Sequence, residues 1–307
     1  MKNMDSALTK LRIQRLIMPI CVIALSPLSL LGWSSEAHRA IAMIAAKRME
    51  GSRTIASITA ILGNLTLADI STCPDEVRDL EEHGTKLSTT CAVIFPEPPK
   101  GTAPWHFVNT PIKALTFTPT PADVSAACMN SCAIVEVENY FRVLSQWDPS
   151  DTGAKKLADE QALAYVVHFI GDIHQPLHAA ERDGDRGGNA VKVDFFNSKN
   201  LTLHEIWDNQ IVARIDKTPQ ELVIDLRPEI QTATAEPSVR VTDWAIQSYT
   251  LARDVAYKGI PDASSSNKAA APVSLGQAYQ DMAAPVVRLQ IARAGVRLAS
   301  HLQSVLQ

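Results

Sequence analysis

The segment "HFIGDIHQPLH", residues 168–178, restricts the possible folds of this chain more than any other. Three of the 8 histidines fall inside it. The preceding stretch, "LADEQALAYVV", is mostly apolar and free of Pro and Gly, so it predicts a buried helix over 157–174. Pro176 stops that helix, because it lacks the N–H that would continue the ladder. His168 and Asp172 stand four apart and leave the same helix face one turn from each other. Desolvating imidazoles and a carboxylate costs kilocalories apiece unless something pairs with them. Any fold that buries this helix must supply those partners.

The same spacing recurs in "HEIWD", where His204 and Asp208 are again four apart. Upstream stand His38, Asp75 in "CPDEVRD" and His106 in "PWHFVN". Imidazole and carboxylate together are the zinc ligand set. These groups outnumber what one tetrahedral ion takes, so more than one metal is implied. "HEIWD" carries Asp208 where the protease motif H-E-x-x-H has its second His, which sets Glu205 aside as a protease base. His174 lies on a different helical face from Asp172 and reads as supporting structure. His83 and His301 read as solvated.

Lys10, Arg12 and Arg15 precede the apolar run "LIMPICVIALSPLSLLG". That order predicts a secretory signal peptide over 1–32, cleaved after Gly32, so that the mature chain starts at Trp33 and is secreted or periplasmic. The run is shorter than the roughly 20 residues of a membrane span and is interrupted by Pro19 and Pro27. Cys21 lies in this segment. Cys73, Cys91, Cys128 and Cys132 remain, an even set in an exported chain, which predicts two disulfides. Cys73–Cys91 with Cys128–Cys132 is the favoured pairing because both close local loops; a cysteine zinc site is the alternative. The formal net charge of −4 is not that of a nucleic-acid binder relying on its own cations, since phosphate attraction dominates such affinity. Bound dications would reverse the sign locally.

From Ser34 onward the chain shows neither repeats nor a linker, and it predicts a mainly α single domain. Helices are expected over 34–49, 52–62, 131–146, 157–174, 237–258 and 276–306, with a long loop region from Cys73 to Pro121. In 191–203, Val191, Val193 and Phe195 alternate with polar residues and Leu201 and Leu203 alternate again. This predicts one β-hairpin turning at "NSKN", followed by a helix beginning near His204. "PDASSSNKAAAP" reads as a loop.

"WSSEAH" from Trp33, "DEVR" from Asp75, "WHF" at 105–107, "HFIGDIHQPLH", "DRGGN" at 185–189 and "HEIWD" occur in the order found in the type I (S-one/P-one) zinc-dependent single-strand nucleases and 3′-nucleotidases, which the whole chain from Trp33 resembles. The resemblance implies a helical fold like that of phospholipase C and these nucleases, and three zinc ions. Asp75, His106, His168 and Asp172 would hold one. The α-amino and carbonyl groups of Trp33, His38 and the shared Asp172 would hold a second. His178, His204 and Asp208 would hold the third. Asp75 and Arg78 would act in catalysis, and Phe107, Asn109 and Asn189 would contact the base; Asn109 stands where relatives often carry Asp. The implied substrates are single-stranded DNA and RNA and 3′-nucleotides, with 5′-phosphorylated products, no stable membrane partner and a monomeric state. A zinc phospholipase C on the same scaffold is the alternative.

Overall fold

The computed structural model describes residues 33–129, 131–236, 240–261 and 271–307. The expected signal peptide, most of the expected 261–272 loop and the expected start of the helix at 237 lie outside them.

The chain opens with α1 (Ser35–Arg48), whose first turn is capped by the Ser34 hydroxyl accepting from Ala37 N–H, and α2 (Arg53–Leu62), capped in the same way by Ser52. The short α3 (Leu67–Ile70) has a reciprocal cap between Thr66 and Asp69. The expected loop from Cys73 to Pro121 is largely replaced by further elements: α4 (Cys73–His83), α5 (Thr89–Ile94) and a 3₁₀ turn over Ala103–His106. The prolines here start elements instead of breaking them. Pro74 sits in the first turn of α4, where its missing N–H had no partner to lose. Asp75 and Glu76 then complement the helix dipole. Pro104 and Pro121 occupy the same early positions in the 3₁₀ turn and in α6 (Pro121–Cys128).

Next come α7 (Ala133–Leu144) and α8 (Gly153–Ile173), the 21-residue helix on which the molecule is built. Every residue of α8 from Ala162 to Ile173 is buried. A helix apolar on all sides belongs in a core, and each fully buried large aliphatic or aromatic side chain there contributes about 1.5–3 kcal/mol. The neighbours that cover it are α7, α1, α2, α3, α4, α5 and α15 (Gln277–Val305). As expected, α8 ends ahead of Pro176, which opens α9 (Pro176–Ala179).

Two small sheets flank the helices. A parallel pair joins β1 (Thr110–Pro111) to β2 (Ala180–Glu181). The expected hairpin is β3 (Lys192–Phe195) with β4 (Ser198–Thr202). Its turn falls at Phe196–Asn197 instead of "NSKN", because Asp194 accepts hydrogen bonds from Asn200 N–H and Lys199 Nζ, both at 3.0 Å, and holds that stretch as strand. A distant segment, β5 (Val273–Leu275), adds a parallel third strand to β3. After β4, α10 (Leu203–Glu205) runs through a π-turn at Ile206–Gln210 into α11 (Ile211–Ala213). Two helices absent from the sequence expectation follow, α12 (Pro219–Asp225) and α13 (Arg227–Ala235), and then α14 (Val241–Leu251) with a π-turn at Ala252–Ala256.

Both favoured disulfides are formed, Cys73–Cys91 and Cys128–Cys132, with Cα–Cα distances of 5.1 and 5.2 Å. The alternative of a cysteine zinc site is thereby removed. Among the described residues no single helix is long and apolar enough to cross a membrane.

Candidate metal centre

The C-terminal half of α8 meets α1, α4 and the 3₁₀ turn at one point, and the eight predicted imidazole and carboxylate groups gather there and beside α10. His168 Nε2 lies 3.4 Å from Asp75 Oδ1, 3.1 Å from Asp172 Oδ2 and 3.1 Å from His106 Nδ1. His106 Nδ1 is 3.0 Å from Asp172 Oδ2 and 3.5 Å from Asp75 Oδ1. On the other side of Asp172, His38 Nε2 lies 3.5 Å from Oδ1. The second gathering is His178 Nε2 at 3.6 Å from Asp208 Oδ1 and His204 Nε2 at 3.3 Å from Asp208 Oδ2. His178 Nδ1, at 3.4 Å from Asp172 Oδ1, connects the two.

These atoms are mostly acceptors facing acceptors. His168, His178 and His204 each donate Nδ1–H to a backbone carbonyl: that of Ser71 at 2.8 Å, His106 at 2.9 Å and Gly187 at 2.7 Å. With Nδ1 committed to these carbonyls, Nε2 is the atom that each ring presents to a carboxylate. Both nitrogens of His38, His106 Nε2, His178 Nε2, Asp75 Oδ1, Asp172 Oδ1 and Asp208 Oδ2 are buried with no hydrogen-bond partner. Buried polar atoms in such numbers are rare in native proteins and call for a missing cation. The spacings agree: tetrahedral ligands bound at 2.0–2.2 Å lie roughly 3.3–3.6 Å from one another. The residues therefore fit a metal, and they divide into sets around His38–Asp75–His168, His106–His168–Asp172 and His178–His204–Asp208.

The electrostatics point the same way. Burial, followed by Arg78, drives His106 down to about 4. Burial also lowers His38 and His204, so these imidazoles are neutral donors near pH 7. Burial alone would lower His168, yet Asp172 and Asp75 push it up to about 10. Burial would raise Asp172, but His168 and His178 hold it well below the usual carboxylate range. The cluster draws in positive charge, and a metal would compete with the proton for it.

Trp33 is fully buried beside the cluster: its indole N–H donates to Gly171 O at 3.0 Å, and Ser34 N–H donates to Asp208 O at 2.8 Å. Arg78 is buried one helical turn after Asp75 and pairs with it at 3.1 Å and with Asp79 at 3.8 Å. A cleft of about 500 Å³ opens onto His106, His178 and His204, and Arg78, Phe107, Asn109 and Asn189 all line it. Phe107 is half-buried, and the Asn189 side-chain amide donates to Arg186 O at 3.0 Å. A larger groove of about 860 Å³ lies between α1 and α12–α13, but none of the clustered histidines lines it.

His174 is turned away from the clusters, donating Nδ1–H to Ile170 O at 2.7 Å and accepting from Arg297 at 2.8 Å. His83 is half-exposed near Asp79. His301, expected in solvent, instead packs between Phe141 and Trp244, with ring centroids at 4.3 and 5.0 Å, because α15 presents that face to α7 and α14. Sequence reasoning missed Gln175, which is fully buried and donates to Asp208 Oδ1 at 2.7 Å. Its place between His174 and Pro176 was the available signal. The Gly187 carbonyl that orients His204 was missed as well. Gly187 has φ +62°, and a Cβ there would lie 2.3 Å from Leu177 O, so only glycine fits.

The family model for S1/P1 nucleases matches residues 33–307. Endonuclease 4 of Arabidopsis thaliana is 28% identical over 299 residues, covering 89% of this chain and 89% of that protein. Nuclease S1 of Aspergillus oryzae is 26% identical over 303 residues, covering 89% and 92%. Nuclease P1 of Penicillium citrinum is 27% identical over 228 residues, covering 67% and 78%.

Proposed function

The chain belongs to the S1/P1 nuclease family, and on that footing we propose that it is an exported zinc-dependent endonuclease. It cleaves single-stranded DNA and RNA to 5′-phosphorylated products and removes the phosphate of 3′-nucleotides. The observation that carries this reading is the convergence of buried imidazole and carboxylate atoms without hydrogen-bond partners on the floor of an open cleft, with the Arg78 guanidinium beside them.

Three zinc ions are assigned. Asp75, His106, His168 and Asp172 would hold one; His38, Asp172 and the freed amine and carbonyl of Trp33 would hold the second; His178, His204 and Asp208 would hold the third. Signal cleavage after Gly32 would create the Trp33 amine, and the family match begins at that same residue. Bound zinc supplies Lewis acidity and makes water a nucleophile near neutral pH. Asp75 accepts a hydrogen bond from the attacking water and orients it, while Arg78, its charge held by Asp75 and Asp79, stabilises the charge gathering on the phosphoryl oxygens. Phe107 offers a ring face on which an unpaired base stacks without regard to sequence, and Asn109 and Asn189 meet the base edge. Paired bases are not available to such a wall, which favours single strands. The protein acts as a secreted or periplasmic monomer.

The test is elemental analysis of the mature protein together with cleavage of single-stranded DNA with and without chelator. About three zincs per chain, with chelator-sensitive cleavage leaving 5′-phosphate ends, are expected. Three zincs with phosphatidylcholine hydrolysis and no nuclease activity would move the function to the phospholipase reading. A correctly processed protein without zinc would sink both.

A further inference from the structure

Besides the residues already assigned, the cleft is lined by Glu82, Ala103, Arg186, Lys192 and Thr202. Arg186 and Lys192 are both exposed, and neither side chain makes a hydrogen bond or ion pair among the described residues. Exposed cations without a partner occur elsewhere on the chain, Arg39, Lys86 and Arg142 among them, whereas Lys113 pairs with Asp123 and Lys199 with Asp194. What sets Arg186 and Lys192 apart is their place, since both stand on the rim of the cleft that opens onto His106, His178 and His204.

Their backbones are tied to the candidate metal site. Arg186 has φ +56°, a left-handed conformation uncommon for a residue with a Cβ, and such strain persists only where the surroundings hold it. Here the next residue, Gly187, is held through its carbonyl by His204 Nδ1–H at 2.7 Å. Lys192 stands opposite Thr202 in the β3–β4 ladder. The Thr202 hydroxyl caps α10, the helix carrying His204. Each cation is thus placed, through a short run of backbone, at a fixed distance from the same histidine. Asn109, across the cleft, is a second non-glycine residue with positive φ, at +41°.

We propose that Arg186 and Lys192 form a strand-binding edge that holds the phosphates flanking the scissile one along a single-stranded polynucleotide. The inference rests on the nuclease reading above and deepens it. The enzyme is a polymer nuclease whose advantage on long strands over the shortest substrate comes from these two side chains. Arg78 is held by Asp75 and Asp79 deep in the cleft and serves the reacting phosphoryl group; the two rim cations reach its neighbours.

The experiment uses zinc-loaded mature protein and compares wild type with Arg186→Ala, Lys192→Ala and the double variant. Lys199→Ala, whose lysine is paired with Asp194 outside the cleft, is the control. kcat/KM is measured across a range of salt for a single-stranded decanucleotide and for a dinucleoside monophosphate, which has no flanking phosphate. The log–log salt slope for the decanucleotide should become shallower by about 0.7 for each residue removed, and by about 1.4 in the double variant. The loss should be larger on the decanucleotide than on the dinucleoside monophosphate, so their ratio falls, while Lys199→Ala keeps the wild-type slope and ratio. An unchanged slope, or equal proportional losses on both substrates, would overturn the strand-binding edge alone. A wild type that cleaves neither substrate would overturn the nuclease reading and the edge together.

Discussion

Gly171 lies inside α8 between Ile170 and Asp172, where a helix would ordinarily favour alanine. Replacing an interior helical glycine by alanine stabilises a helix by about 0.8–1 kcal/mol. At this position the added Cβ would lie 2.8 Å from His38 Nδ1 and 2.9 Å from His38 Cε1, with Ile41 Cδ1 at 3.4 Å. The His38 ring cannot swing aside freely, because it is fully buried and stacked on His168 with centroids 4.0 Å apart. Overpacking of this kind costs roughly 1–3 kcal/mol. The overpacking outweighs the gain in helix propensity, and Gly171→Ala should destabilise the metal-free protein by up to about 2 kcal/mol, which at roughly 2–4 °C per kcal/mol is a drop of several degrees in Tm. Displacing His38 should also weaken zinc binding at that cluster by about tenfold or more, the scale seen when ligand orientation is lost. Thermal unfolding in chelator separates the packing effect, and zinc titration with a nuclease assay reads the rest. A variant more stable than wild type in chelator, with full zinc content and full activity, would refute the reasoning, because it would show that His38 is neither confined nor needed.

Gln175→Leu keeps the buried volume but removes the donor to Asp208 Oδ1; zinc affinity at the His178–His204–Asp208 set should fall about 10–100-fold, and an unaltered titration would leave Gln175 a packing residue. Burial between Phe141 and Trp244 drives His301 from 6.5 down to about 4. The unfolded chain therefore binds the extra proton between those values. The contribution is fully present above pH 6.5 and is lost as pH falls towards 4. His301→Leu should flatten that part of the stability profile by about 1–2 kcal/mol, after discounting the 1.36 kcal/mol per pKa unit for partial exposure; denaturant melts at pH 7 and pH 4.5 check it, and a parallel loss in both proteins would count against it. Removing Cys73–Cys91, which closes a separation of 18 residues, should cost about 3 kcal/mol, and removing Cys128–Cys132, at a separation of 4, about 2 kcal/mol. Chemical denaturation of the two double-alanine variants would rank them, and the reverse order would defeat the loop-entropy account.

What the sequence disclosed and what it withheld have physical reasons. His168 with Asp172 and His204 with Asp208 were legible because helical spacing alone places each pair on one face. That the two pairs meet at Asp172 and His178 depends on how α8, α9 and α10 pack, which no local pattern encodes. Between Cys73 and Pro121 the prolines suggested irregular chain, although Pro74 with Asp75 and Glu76 is also a helix-start signal. The same signal was present for α12, where Thr218, Pro219 and Glu221 form a capped first turn. The pairing of β5 with β3 was illegible because it joins segments some eighty positions apart. Arg186 stands inside "DRGGN", from which only Asn189 was read as a base contact; its place on the cleft rim depends on a left-handed backbone angle that the sequence does not display for a residue other than glycine.

The two disulfides tie only neighbouring turns of chain, one around α4 and α5 and the other across a single helix end. No covalent bond among the described residues joins the first third of the molecule to the last. The histidine and aspartate clusters do span that distance, from His38 in α1 to Asp208 beyond the hairpin. Constraint on the unfolded chain grows with the logarithm of the loop that a link closes. Zinc seated there would be the long-range staple of this fold, and the disulfides its local stitching. Loss of zinc should then release whole-chain freedom that reduction of the cysteines cannot, so a chelating environment would expose the protein to proteases sooner than a reducing one.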